Sequence, residues 1–266
     1  YPSIVGCGPN ATTLHYVESQ GEVRQGDLLL MDVGAEYDHY TADVTRTFPV
    51  NGKFTKEQAE IYRIVYAAQE SAAAAMKPGG KFADPNAASR KTVEEGLAKL
   101  GLITAVGAIV PGTEREVSDG QGGKRTIGMP QSFLWYMHGL GHWLGMNVHD
   151  VGGGGQTTFQ PGMIMTNEPG IYIRGDALDY FDQSKPGVKE FLDKIRPAFE
   201  KYKNIGVRIE DDMLITGDGV EWMTRNLPRK LEEVEAFMAK ASKEFTAVSR
   251  ETPVNPSLAL FDANAN

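Results

Sequence analysis

The sequence predicts an α+β fold, with strand-like segments near both ends of the chain and helices between them. Three observations carry this. Apolar runs of strand length recur near 28–33, 163–173 and 205–215. Helical apolar spacing, opened by a capping box, follows residue 55. No linker-like stretch and no strong internal repeat divides the 266 residues, so one large domain is the simplest organisation.

The elements follow in order. The chain opens on a short apolar stretch, 1–6. Residues 23–34 read as a buried strand: Gly26-Asp27 turns the chain, and an apolar run follows, broken by one acid, Asp32. Residues 40–50 read as a second strand, with Asp43 inside it. Thr55 starts a helix. Gln58 completes its capping box, Ile61, Ile64, Val65 and Ala68 keep helical spacing, and Pro78-Gly79-Gly80 ends it. Asp84-Pro85 reads as an N-cap with proline at the first helical position. The helix it opens runs through Val93, Leu97 and Leu100 to Gly101.

Residues 104–130, rich in glycine, threonine and charge, read as a long irregular insertion. Residues 133–148 are apolar but carry Gly139, Gly141 and Gly145, which disfavour a helix. The glycines of 152–155 form a loop without the Lys-Ser/Thr of a phosphate-binding loop. Residues 163–173 and 205–215 are strand-like. Between them, a second insertion at 175–203 contains an amphipathic helix over 191–202. Pro228 precedes a C-terminal helix that includes 231–238. The domain is expected over 1–250, with the small and polar residues of 251–266 as a disordered tail.

Bulk properties narrow the function. The net charge is −8 with both signs spread along the chain, which argues against a nucleic-acid or anionic-membrane surface. No apolar run approaches the ~18 residues needed to span a bilayer. Cys7 is the single cysteine, which rules out an intrachain disulfide and a cysteine-rich zinc site and fits a reducing compartment. The localisation expected is therefore cytoplasmic. Tyr1 is not an initiator methionine, and no signal segment is present. An upstream segment or a separate chain, carrying any targeting signal, is expected to complete the fold.

Acids within apolar strands are the informative residues. Asp32 follows Leu28, Leu29, Leu30 and Met31; Glu168 lies between Ile164 and Ile171; Glu210 follows Val207-Arg208-Ile209. A buried unpaired carboxylate costs several kcal/mol, so such acids are paired, protonated or bound to a cation. One alone is ordinarily a satisfied structural group. Several, with a histidine from another segment, favour a metal. Asp32, Asp43, Glu168 and Glu210 supply carboxylates and His142 an imidazole, a set suited to Mn, Co or Zn. Four carboxylates exceed what one dication needs and suit two, sharing bridging carboxylates around a hydroxide. His138 and His142 are four apart, but Gly139 stands where a helical His-Glu-x-x-His motif needs glutamate.

Six segments then carry a resemblance. Leu30-Met31-Asp32-Val33-Gly34-Ala35-Glu36-Tyr37, Ala42-Asp43-Val44-Thr45-Arg46-Thr47-Phe48 and Met137-His138-Gly139-Leu140-Gly141-His142-Trp143-Leu144-Gly145 come first. Val148-His149-Asp150-Val151-Gly152, Asn167-Glu168-Pro169-Gly170-Ile171-Tyr172 and Val207-Arg208-Ile209-Glu210-Asp211-Asp212 follow. Together they resemble the aminopeptidase P and prolidase branch of the pita-bread metallopeptidases, from residue 1 to about 238.

The resemblance implies a curved antiparallel sheet flanked by helices, with the N-terminal part of the usual chain missing. It implies hydrolysis of the bond between an N-terminal residue and proline by a metal-bridging hydroxide, with two divalent ions, Mn first and Co or Zn as alternatives. Asp32 would chelate one metal, Asp43 and Glu210 would bridge both, and His142 and Glu168 would complete the second. Glu168 would also shuttle a proton, and His138 and His149 would steady the oxyanion and the substrate. His15, Arg208 and Tyr172 would meet the substrate, Arg208 alternatively orienting ligand carboxylates. Partners implied are a proline-containing peptide and further copies of the chain. A dipeptide-restricted prolidase is the runner-up. A non-catalytic pita-bread binding module, a methionine aminopeptidase or a creatinase-like amidinohydrolase fits less well. Blander readings are kept for neighbours: His39, Glu36 and Asp38 as surface groups, Asp211 and Asp212 as solvent-facing or behind the ligands, Arg46 as an ion-pair partner, and Trp143 as core or pocket lining.

Overall fold

A computed structural model describes residues 1–120 and 123–251; from residue 252 the expected tail lies outside the described residues. The first strands are β1 (Ile4–Cys7), β2 (Leu28–Val33), β3 (Glu36–Tyr37), β4 (Tyr40–Thr41) and β5 (Val44–Pro49). β2 lies between β1 and β5, antiparallel to both. Alternate residues of β2, Leu28, Leu30 and Asp32, are buried. The two-residue period of a strand thus puts Asp32 on the same inward face as two leucines.

The expected strand over 40–50 is broken. β4 pairs only with β3 in a hairpin whose turn residues, Asp38 and His39, have φ of +52° and +71°. Asp43 falls in the gap between β4 and β5, not inside a strand. α1 (Lys56–Ala75) has the expected capping box: the Thr55 hydroxyl accepts from the Gln58 N–H, and the Gln58 carbonyl accepts from the Thr55 N–H. α2 (Ala83–Leu100) begins before the expected cap. Asp84 sits in its first turn and accepts from the Lys81 N–H at 2.6 Å, three residues upstream. Gly101 closes α2 in the left-handed conformation, φ +80°.

The first insertion is less irregular than its composition suggests. It contains an antiparallel hairpin, β6 (Arg115–Ser118) and β7 (Lys124–Ile127). Nearly every residue of this hairpin is exposed, so it lacks the apolar alternation by which strands are read. The 133–148 segment has no α-helix, in keeping with its glycines; only a short 3-10 turn, Gln131–Leu134, runs into its start.

The remaining elements are β8 (Ile164–Asn167), β9 (Gly170–Ile173), α3 (Val188–Tyr202), β10 (Ile205–Arg208), β11 (Asp211–Ile215), β12 (Val220–Trp222) and α4 (Leu231–Glu251). Both long strand-like runs are therefore split, one at Glu168-Pro169 and the other at Ile209-Glu210. β8 pairs with β11 and β9 with β10, all antiparallel, so the two breaks face each other. Pro169 has no N–H to continue a ladder. Across the break, the Glu210 N–H donates to the Thr45 carbonyl at 3.0 Å, joining these strands to β5. The outcome is the curved antiparallel sheet of a pita-bread fold. Ile61, Tyr62, Val65 and Ala68 of α1 and Phe191, Leu192, Ile195 and Phe199 of α3 pack with Trp135, Ile171, Val207 and Ile209 against it. Each large apolar side chain buried there contributes ~1.5–3 kcal/mol.

Candidate metal centre

The concave side of the sheet opens into a cavity of about 1000 Å³. Asp32, Asp43, His142, Glu168 and Glu210 all line it, as do His15, His138, His149 and Arg208. Asp32 arrives from the inward face of β2. Asp43, Glu168 and Glu210 arrive from the three strand breaks, where the chain bends and a side chain can leave the sheet's alternation. One ligand atom each from Asp43, His142 and Glu210 lies within 4.8 Å of the others. His142 Nε2 is 3.5 Å from Asp43 Oδ2 and 3.4 Å from Glu168 Oε1. Its Nδ1 lies 3.0 Å from the Trp143 carbonyl. With Nδ1 engaged by that carbonyl, Nε2 is the nitrogen that faces the carboxylates and is placed to bind a metal.

The electrostatics test whether cations fit. Burial pushes the Glu210 carboxyl well above its ordinary range, and Glu168, Asp43 and Asp32 push it further. Burial raises Glu168 to about 7, with Asp43 adding to the rise against the pull of Arg208 and His142. Burial also raises Asp32, although Arg208 draws it down. Only Asp43 is held below the usual range: burial opposes ionisation, but hydrogen bonds from His142 and Tyr1 outweigh it. His142 is raised, the contacts with Asp43 and Glu168 overcoming burial. Four converging acids thus share too little positive charge to ionise together. Dications would supply it, so the donor set fits divalent metal.

Neighbouring side chains fix the carboxylates. Thr45 Oγ1 donates to Glu210 Oε2 at 2.6 Å, and Thr166 Oγ1 donates to Glu168 Oε1 at 3.0 Å. Arg208 is buried; its Nη2 donates to Asp32 Oδ2 at 2.5 Å, Nη1 to the Tyr172 hydroxyl at 2.9 Å, and Nε to Thr45 Oγ1 at 3.1 Å. The Tyr1 hydroxyl lies 2.6 Å from an oxygen of both Asp32 and Asp43. His138 Nδ1 contacts the Gly139 carbonyl at 2.7 Å and Nε2 the Tyr172 hydroxyl at 2.9 Å. Burial and then Arg208 lower the His138 pKa to about 3, so the ring is neutral. Tyr172 is fully buried and reaches the cavity only through His138 and Arg208. His149 is exposed, with its ring 4.2 Å from that of His142, and His15 is exposed and lines the same cavity.

The neighbours divide. Glu36 and His39 are exposed, and Glu36 sits at the cavity mouth. Asp211 and Asp212 are not solvent-facing but buried. Asp211 pairs with Arg46 at 2.7 Å, and Asp212 accepts the Asp43 N–H at 3.3 Å. Both stand behind the candidate ligands, drawn in by the β8–β11 ladder. Trp143 turns away from the cavity and packs on Phe82, ring centroids 4.5 Å apart. Residue patterns alone miss Tyr1, Thr45 and Thr166. For Thr166 the signal is its spacing, two residues before the Glu168 it contacts; Thr45 reaches Glu210, 165 residues away, and carries no such signal.

The model of metallopeptidase family M24 matches residues 1–217. The chain belongs to metallopeptidase family M24. It is 40% identical over 247 residues to a Xaa-Pro aminopeptidase of Escherichia coli, covering 92% of this chain and 48% of that protein. It is 35% identical over 271 residues to the human Xaa-Pro dipeptidase, covering 94% of this chain and 51% of that protein. The solved structure of E. coli aminopeptidase P with the inhibitor Pro-Leu superposes with a TM-score of 0.71 at 39% identity, covering 91% of this chain and 48% of that one. This M24 chain therefore spans about half the length of the relatives it matches. Among its described residues, no helix is long and apolar enough to cross a membrane.

Proposed function

We propose that the protein is a Xaa-Pro aminopeptidase, hydrolysing the bond between an N-terminal residue and proline. The observation that carries this is the convergence of four acids and one imidazole on a cavity in a chain similar to proteins of that name. Asp32, Asp43, His142, Glu168 and Glu210 would hold two divalent cations, with Asp43 and Glu210 shared. When bound, the cations supply an acidified water and a polarised scissile carbonyl. Manganese is the metal we favour on the oxygen-rich donor set, with cobalt or zinc accepted by the same residues.

The remaining steps belong to the chain's own groups. Glu168, beside His142 on the cavity wall, would take a proton from the attacking water and pass it to the leaving proline nitrogen. His149, with its ring against His142 at the cavity, would donate to the developing oxyanion. His15, also lining the cavity, would be a contact for the substrate backbone. The polar atoms of His138, Tyr172 and Arg208 engage one another and Asp32, so we assign these residues to orienting the ligand carboxylate.

That assignment favours an aminopeptidase over a dipeptidase. Arg208 is the one Lys or Arg lining the cavity among the described residues, and Asp32, Tyr172 and Thr45 already engage it. A dipeptide's C-terminal carboxylate would find no free cation there, whereas a longer peptide can leave through the open mouth. The single cysteine supports a cytoplasmic setting, and we extend to this protein the self-association that the resemblance implies. The test is a peptide panel of Ala-Pro-Ala, Ala-Pro and Ala-Ala-Ala with added manganese, read by product mass. Release of alanine from Ala-Pro-Ala alone, or much faster than from Ala-Pro, supports the proposal; turnover of Ala-Pro only, or equal turnover of Ala-Ala-Ala, overturns it.

A further inference from the structure

Residues 135–149 carry three of the cavity's histidines yet form no helix or strand beyond one isolated bridge, Trp143 to Met165. Such a segment needs anchors outside itself. On one side β8 supplies them. The Glu168 N–H donates to the Leu140 carbonyl and the Thr166 N–H to the His142 carbonyl, both at 2.9 Å, and the Leu144 N–H donates to the Ile164 carbonyl at 3.2 Å. Gly141 lies so close to β8 that a side chain there would run into the Thr166 carbonyl.

The other side has no strand. It faces α2, and two residues of that helix, Asn86 and Arg90, take the strand's place. Asn86 Oδ1 accepts the Leu140 N–H at 3.0 Å. Arg90 donates from Nη1 to the Tyr136 carbonyl at 3.3 Å and from Nη2 to the His138 carbonyl at 3.1 Å. Its guanidinium also stacks over the Tyr136 ring, 4.8 Å from the centroid. Asn86 and Arg90 are four residues apart and share one helix face. The backbone groups they hold belong to residues 136, 138 and 140, the alternate positions that a neighbouring strand would address. From His138 the contacts continue through the Tyr172 hydroxyl and Arg208 to Asp32.

We propose that Asn86 and Arg90 are positioning residues of the metal centre, a side-chain ladder from α2 that holds the histidine-bearing segment in register with β8. This rests on the functional reading only where activity is measured. Arg90 suits the task because its planar fork bonds two carbonyls at once; a lysine at that position supplies a single point of attachment. Removing either residue should free residues 136–140 and let His142 drift from Asp43 and Glu168 and His138 from Tyr172.

The test compares Asn86→Ala, Arg90→Gln and Arg90→Lys with Thr92→Ala. Thr92 tethers the same helix to Ser71 of α1, with its hydroxyl 2.9 Å from that of Ser71, and touches nothing in the cavity. Amide exchange of residues 136–144 in the metal-free protein and manganese affinity by titration are measured for each, along with kcat and KM on Ala-Pro-Ala. Asn86→Ala and Arg90→Gln should speed exchange about ten-fold and weaken manganese binding by about 10–100-fold, with kcat falling more than KM rises. Arg90→Lys, which keeps charge and stem and is the variant to rely on if glutamine prevents folding, should fall between Arg90→Gln and the parent chain. Thr92→Ala should leave exchange and metal affinity unchanged at the same loss in Tm. Exchange and affinity within two-fold of the parent chain, or equal changes in Thr92→Ala, would overturn the proposal. If the parent chain fails to cleave Ala-Pro-Ala, the functional reading falls, while exchange and metal affinity still decide this one.

Discussion

Replacing Thr45 with valine removes one hydroxyl and almost no volume. The residue is fully buried, so the loss cannot be made good by bulk water. Its hydroxyl donates to Glu210 Oε2 at 2.6 Å and accepts from Arg208 Nε at 3.1 Å. Two costs follow, and they are separable. Glu210 loses the group that orients it, and losses of this kind weaken metal binding by about 10–100-fold. At ~1.4 kcal/mol per decade that is ~1.4–2.8 kcal/mol of cation binding. Arg208 Nε is left without an acceptor, which costs about 1–3 kcal/mol of stability in the metal-free protein. Manganese titration reads the first and chemical denaturation of the chelator-treated protein the second. Thr45→Ser keeps the hydroxyl and should stay within a few-fold of the parent affinity. If Thr45→Val binds manganese within two-fold of the parent chain, the hydroxyl does not orient Glu210 and the proposed ligand arrangement is wrong.

Three further outcomes are expected. Glu168 is raised to about 7 from an ordinary 4.5, so its protonated form stabilises the metal-free fold below pH 4.5, and that contribution is lost as pH rises through 7. Metal-free Glu168→Gln should therefore gain Tm over the parent chain between pH 5 and pH 8; an unchanged difference across that range would show that the carboxyl titrates normally. Arg46→Leu leaves the buried Asp211 carboxylate without its cation, though Gln69 and Thr224 still donate to it, and removes bonds to the Glu210 and Thr45 carbonyls, so stability should fall by about 3–5 kcal/mol by denaturant titration, and a loss under 1 kcal/mol would refute the burial argument. Gly141→Ala places a methyl against the Thr166 carbonyl and should cost about 1–3 kcal/mol and weaken manganese binding, whereas a neutral effect on both would show that the close approach to β8 is unimportant.

The sequence was most legible where a local rule acts alone. The Thr55–Gln58 capping box sets the start of α1, and the left-handed Gly101 sets the end of α2. The two-residue period of β2 places Asp32 inward beside Leu28 and Leu30. Legibility failed where long-range pairing decides. Hydrophobicity continues across Asp43, Glu168 and Glu210, so each run reads as one strand, although the chain changes sheets at those acids. Asp84 has the composition of a cap but is turned back to the Lys81 N–H. The β6–β7 hairpin carries no apolar face to betray it.

The same division holds at the site. The acids were conspicuous because apolar neighbours force a charge to find a partner. Tyr1, Thr45, Asn86 and Arg90 were silent, because a tyrosine, a threonine or a helix-borne arginine has many ordinary uses. Only the fold brings them within hydrogen-bonding distance of the ligands or of the segment that carries them. Arg208 was ambiguous between substrate and carboxylate, and its three engaged nitrogens favour the carboxylate.

The most direct measurement is equilibrium titration of the metal-stripped chain with manganese, followed in parallel by hydrolysis of Ala-Pro-Ala. Two cations bound per chain are expected, with the rate rising as the second site fills and Asp43→Asn losing both. A single bound cation, or hydrolysis that persists in full after chelation, would contradict a shared two-metal centre built on Asp32, Asp43, His142, Glu168 and Glu210.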